Sequence, residues 1–112
     1  MVERSRSLDA VFGSLSDPTR RDILRRVSKH SISIGDIARH YSLSFAAIAK
    51  HLDVLERARL VSKTRQGKER IVTIAPKTLA AANAYLESYR ELWETRLDAL
   101  DTFLKSINGK GK

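Results

Sequence analysis

The stretch SLSFAAIAKHLDVLERARLV, residues 42–61, decides how the rest of the chain is read. Ser44 is a good N-cap, and behind it Ile48, Leu52 and Leu55 recur at i, i+4 and i+7, the inner stripe of an amphipathic helix. The outer face opens with Phe45, Ala46 and Ala47, where a solvated helix usually carries charge. Lys50 and His51 follow further round.

The preceding segment, SISIGDIARHY at residues 31–41, pairs Ser33 with Asp36 in a capping-box pattern and places Ile34, Ile37, Ala38 and Tyr41 behind it, which predicts a short helix. Only a few residues around YSLS separate the two helices, so they meet steeply as a helix-turn-helix. The second helix of such a pair enters the DNA major groove by its N-terminal turns, where long side chains would obstruct approach. Ala or Phe can contact a thymine methyl there, and Lys50 and His51 can reach base edges or phosphate. Packing of Ala46, Ala47 and Ala49 on a neighbouring element explains the small residues equally well at this point.

The segment that follows favours the nucleic-acid reading. In LVSKTRQGKERIVTIA, residues 60–75, β-branched runs flank a Gly-centred turn and predict a hairpin. Arg65, Lys68 and Arg70 surround its tip, with Glu69 the one acid. A helix-turn-helix followed at once by a basic-tipped hairpin is a winged helix, whose wing reaches phosphate or minor groove. Upstream, SLDAVFGSL aligns Leu8, Val11, Phe12 and Leu15 on one face of a short helix. Asp17 and Pro18 then open a second helix carrying Ile23, Leu24 and Val27. The expected fold is mainly α with a small β-hairpin: four helices, two strands and a long last helix, in one domain spanning residues 1–112.

That last helix should run from about Lys77 to Ile107, between Pro76 and Asn108-Gly109. Thirty residues at about 1.5 Å each give roughly 45 Å, more than a small winged core can cover. Its stripe, Leu79, Ala82, Leu86, Tyr89, Trp93, Leu97, Leu100, Leu104 and Ile107, steps by three or four throughout and suits another helix. A homodimer is the economical solution, through Leu86, Tyr89, Trp93, Leu97, Leu100 and Leu104 with Leu8, Val11 and Phe12 of the first helix. Tyr85, Tyr89 and Trp93 form an aromatic patch that reads either as interface core or as an effector pocket.

Charge agrees with a polyanionic partner. The net charge is +8; residues 1–76 hold 15 basic and 8 acidic side chains, and the remainder 6 and 5. Absence of Cys excludes disulfides, thiolate metal sites and cysteine nucleophiles. No nucleophile elbow, phosphate loop or His-carboxylate motif points to an enzyme. The N-terminus MVERSRSLDAVFG has no apolar run of signal-peptide length and no segment approaches a membrane span, so a cytoplasmic protein is expected.

The runs LSDPTRRDILRRV, SIGDIA, LSFAAIAKHLDVLERARLV and RQGKERIVTIAP together resemble the ArsR/SmtB-like family of winged helix-turn-helix transcriptional regulators over nearly the whole chain. DPTR-x-x-IL and KHL-x-VLE-x-A-x-LV carry the likeness most specifically. The resemblance implies a homodimeric repressor of operator DNA, with Ser44, Ala47, Lys50 and His51 on the DNA-facing side of the recognition helix. Metal-sensing members carry a Cys pair where this chain reads SIGDIA, or acidic and His ligands on the last helix, which here has no His. No metal or other cofactor is therefore expected; Asp36 and His40 would share a helical face, but two ligands do not close a zinc site. Tyr41-Ser42 stands where many members have Gly, and Ser takes a left-handed turn conformation only at some cost. The rival readings are a protein-interaction module built on the long helix, and an architectural DNA-binding protein of low specificity.

Overall fold

A computed structural model describes residues 6–110. In chain order these form α1 (Arg6–Ser14), α2 (Pro18–Lys29), β1 (Ile32–Ser33), α3 (Ile34–Ala38), α4 (Phe45–Arg57), β2 (Val61–Gln66), β3 (Glu69–Ile74) and α5 (Pro76–Lys110). Two compact units result, one ending at Leu79 and one from Ala80 onward. The first is a winged helix-turn-helix, and the second is the greater part of α5.

Each of the three central helices starts on the side chain read as its cap. Asp17 accepts from the Arg20 amide with Pro18 in the first turn, Ser33 from that of Asp36, and Ser44 from that of Ala47. Behind the caps the apolar stripes converge into one core. Ile23, Val27, Ile37, Ile48, Leu52, Leu55, Leu60 and Val72 are all 1% exposed or less. Burying such a side chain contributes roughly 1.5–3 kcal/mol, so α4 is held by its inner stripe and only its outer face is free.

The wing is a three-stranded antiparallel sheet in the order β1-β3-β2, not a lone hairpin. Ile32 pairs with Val72 and Ser33 with Ile71, and the Ser31 and Thr73 hydroxyls lie 2.9 Å apart. Two residues are too few to show strand alternation, which is why the pattern around Ser33 reads only as a helix cap. The two roles coincide because an N-cap residue takes extended backbone, here φ −69° and ψ 153°. Gly67, at φ 63°, opens the two-residue turn between Gln66 and Glu69.

Two expectations about helix ends need correction. The third helix stops at Ala38, and His40 and Tyr41 continue it in tighter turns by donating to the carbonyls of Ile37 and Ala38. Asp36 and His40 therefore do not share a face of one regular helix. At the other end of the chain α5 passes through Asn108 and Gly109. A single Gly in a helix costs only about 1 kcal/mol relative to Ala, too little to end it here.

The turn between α3 and α4 contains no left-handed residue, so Ser42 carries no strain there. Tyr41 fixes it instead. Its hydroxyl donates to Asp22 Oδ2 at 2.6 Å, Arg26 Nε donates to the Tyr41 oxygen at 3.2 Å, and the Arg26 guanidinium carbon lies 5.6 Å from the ring centroid. Among the described residues the non-glycine residue with positive φ is Arg59, at 61°. It closes α4 in a Schellman arrangement, with the Leu60 amide donating to Leu55 and the Arg59 amide to Glu56. The left-handed conformation costs a non-glycine residue about 1 kcal/mol.

The Tyr41 clasp generates a prediction. Hydrogen bonds from the Tyr41 hydroxyl, then from Arg25, hold the Asp22 carboxyl well below the ordinary aspartate value of 3.8. A depressed carboxylate contributes stability above its unfolded value, and that contribution is lost as pH falls through the folded one. Tyr41→Phe should lower stability by about 1 kcal/mol at neutral pH. In thermal melts the gap between the wild type and Asp22→Asn should be largest near neutrality and shrink below about pH 4. A gap independent of pH would remove the carboxylate from this role.

Candidate nucleic-acid interface

The inner stripe of α4 fixes what its outer surface presents. Phe45, at the first position, is 59% exposed, and Leu43 just before the cap 43%. Ala46 and Lys50 are also exposed, whereas Ala47 and His51 are half-buried on the flank facing inward. Of the residues expected to contact DNA from this helix, Ser44, Phe45 and Lys50 are thus presented outward.

His51 lies differently from its expected position. Its Nδ1 is 3.2 Å from Arg20 Nη1 and 4.0 Å from Asp17 Oδ2, and its side chain is 21% exposed. Arg20 also donates through Nε to the Ser14 carbonyl at the end of α1, at 2.6 Å. The imidazole is part of a polar link between α1, α2 and α4. One residue beyond Lys50 the side chain is turned by about 100° around the helix, enough to take it from the open face to this seam.

The wing meets α4 on the other flank. Lys63 of β2, 9% exposed, donates to Asp53 and lies 3.5 Å from Glu56, so the strand is pinned to the helix by an ion pair. This bond, and then the charge of Lys63, lowers the Asp53 carboxyl below its usual value. Lys63 was legible as one more strand cation; the two α4 acids on which it rests become its partners only once helix and strand pack. Between helix and wing lies a cleft of about 520 Å³, lined by Ser33 to Gly35, by Phe45, Ala49 and Asp53 of α4, and by Lys63, Arg65, Lys68, Glu69 and Arg70 of the wing. The contribution of Ser33 and Gly35 follows from β1, the strand that the sequence pattern did not reveal.

Strand register concentrates charge on that cleft. Arg65 pairs directly with Arg70, on the same face as the Lys63–Val72 and Val61–Ile74 pairs. Like charges placed opposite each other oppose pairing. Arg65 Nε donates only to the Gly67 carbonyl, at 3.2 Å, and Lys68 stands at the turn between them. A surface cluster of this kind gains most from a nearby polyanion. Among the described residues no group of three or more His, Asp or Glu could hold a metal ion, and no helix is long and apolar enough to cross a membrane.

The expected dimer residues divide. Val11 is 2% exposed in the single chain, so little of its apolar surface is left for another contact. Leu8 is half-buried and Phe12 37% exposed. On α5, Leu86, Tyr89, Trp93, Leu97, Leu100, Leu104 and Ile107 are about half exposed, joined by Leu92 and Phe103. The Tyr85 and Tyr89 rings meet edge to face at 5.2 Å, with their hydroxyls 3.0 Å apart.

Fold and cleft define a winged helix-turn-helix protein, and comparison with known proteins agrees. The family model described as bacterial regulatory protein, arsR family, matches residues 17–63. The HTH-type transcriptional regulator Rv2034 of Mycobacterium tuberculosis is 36% identical over 106 residues, covering 95% of this chain and 94% of that protein. The transcriptional repressor SdpR of Bacillus subtilis is 39% identical over 61 residues, 54% of this chain and 68% of SdpR. The crystal structure of the ArsR family transcriptional regulator RHA00566 superposes with a TM-score of 0.74 at 30% identity, over 84% of this chain and 97% of that one. The chain belongs to the ArsR family of winged helix-turn-helix transcriptional regulators. It is a regulator and not an enzyme.

The position of His51 separates two roles on α4. His51→Ala should lower stability by about 1 kcal/mol through loss of the Arg20 contact and leave the preference among DNA sequences unchanged. Melting curves and titration against two unrelated duplexes check it. A changed preference with an unchanged melting temperature would return His51 to the reading face.

Proposed function

We propose that this protein is a sequence-specific DNA-binding repressor that acts as a homodimer on an inverted-repeat operator. The observation that carries the reading is the cleft where the small, apolar first turn of α4 meets the Arg65–Arg70 pair of the wing. In this arrangement α4 lies in the major groove. Ser44, Phe45 and Lys50 approach base edges, Ala47 keeps the flank low, and Arg65, Lys68 and Arg70 hold phosphate or a narrow minor groove. Repression is supported by the likeness to SdpR, itself a transcriptional repressor. Such a regulator works in the cytoplasm.

The dimer reading rests on α5. Leu86, Trp93, Leu100 and Ile107 recur every seven residues, and Tyr89, Leu97, Leu104 and Phe103 widen the face beside them. Exposed apolar surface of this extent exceeds what monomers normally leave to water. A second copy of α5 covers it, and a two-fold dimer offers two copies of α4 to one duplex. Half-sites about one helical turn apart, or a multiple, then match the protein's two-fold axis.

Titration of wild type, Lys50→Ala and Lys68→Ala against the protein's own promoter and a scrambled duplex, across a salt series, tests the assignment. Lys50→Ala should lose about 1–3 kcal/mol on the true site and relax its preference. Lys68→Ala should weaken both duplexes alike and lower the salt slope by about one per subunit. If neither substitution alters binding to any duplex, the reading fails and the interaction-module alternative replaces it. Light scattering should give twice the chain mass of 12.6 kDa; a monomer at micromolar concentration would refute the dimer.

A further inference from the structure

The far end of α4 gathers three arginines whose side chains have no hydrogen-bond or ion-pair partner among the described residues. Arg6, Ser7 and Ala10 of α1 and Arg57, Ala58 and Arg59 at the close of α4 line an open pocket of about 470 Å³. None of the six is acidic. Several other arginines have partners: Arg25 and Arg26 pair with Asp22, Arg39 with Asp36, Arg90 with Glu87 and Glu94, while Arg20 and Arg21 donate to the carbonyls of Ser14 and Leu15. Among the described residues the side chains of Arg6, Arg57 and Arg59 make no hydrogen bond or ion pair. Arg57 is within electrostatic range of Asp53, but that carboxylate already accepts from Lys63.

The backbone of α4 leaves the site open to an anion. Carbonyls at a helix C-terminus normally repel negative charge. Here those of Val54, Leu55 and Glu56 accept from Ala58, Leu60 and Arg59, and the Arg59 side chain is carried at φ 61°, where glycine would be unstrained. One cation would suffice to complement the end of α4; three that line a common hollow exceed that need.

We propose that this pocket is a second anion site, separate from the wing, and that it takes a phosphate group. Guanidinium forks match phosphate oxygens in pairs, and three of them suit a multiply charged species. The volume falls in the range of small-molecule sites and exceeds what a bare ion fills. A bound phosphate joins α1 to the end of the recognition helix, about 18 Å along α4 from Phe45. The phosphate can belong to a free small molecule or to a DNA strand that runs past the end of α4.

Isothermal titration of the full chain with sodium pyrophosphate at fixed ionic strength, for the wild type, Arg6→Gln, Arg57→Gln, Arg59→Gln and the wing variant Arg65→Gln, tests this. Thermal melts identify the folded variants, and any one folded pocket variant is sufficient to decide. One saturable site per chain is expected, weakened about tenfold by each pocket substitution and unchanged in Arg65→Gln. Repeating the titration on protein saturated with a long duplex separates the sources. Undiminished pyrophosphate binding means a free ligand, and loss of binding together with weaker duplex affinity in Arg57→Gln means DNA phosphate. Absence of saturable binding, or binding that survives in the pocket variants, overturns the proposal.

Discussion

Everything at the interface depends on how α4 is buried. Ile48, Leu52 and Leu55 are each fully enclosed, so the helix can neither rotate nor slide without exposing a large side chain. That constraint determines which residues face out, and it does so without any contribution from the outward residues themselves. Phe45, Ala46 and Lys50 are consequently free to be chosen for what they meet outside the protein. The cap at Ser44 and the Tyr41 clasp on Asp22 and Arg26 fix where the helix begins, and Lys63 on Asp53 fixes the wing beside it.

Local rules are broken where function is expected to lie. An Arg placed directly opposite another Arg weakens a hairpin, and an Arg in left-handed backbone weakens a helix end. The acids nearest the Arg65–Arg70 pair are Asp53 and Glu69, which line the same cleft, and Asp53 is already held by Lys63. Several other arginines are paired with acids and the three central helices are capped, whereas these two departures lie on the wing beside the start of α4 and at its close. Departures from local consistency of this kind concentrate at functional sites. They are the physical basis for placing DNA at one end and a phosphate group at the other.

Much of this was legible in the residues alone. Caps at Asp17, Ser33 and Ser44, the apolar periods behind them, and the Gly67 turn are all local signals, and each element they predict is present. What escaped was non-local. The pairing of Ile32 and Ser33 with β3 depends on a partner some forty residues away, and two residues carry no period of their own. His51 was read as outward with Lys50, on the helical pattern and the family resemblance, yet its ring lies against Arg20 of another helix. Val11 belongs to the same class: its helical face was correct, but only packing could show that the single chain already buries it. The end of α5 was missed for the opposite reason, since the Asn108-Gly109 signal is real but too weak to stop a long helix.

The central claim is spatial, that duplex DNA lies against the first turn of α4 and the tip of the wing. Amide chemical-shift mapping of the isotope-labelled protein during titration with its operator measures this directly. The largest shifts are predicted at residues 44–50 and 65–70, with the outer face of α5 beyond Trp93 little changed. Shifts concentrated on α5, with residues 44–50 and 65–70 silent, would contradict the account.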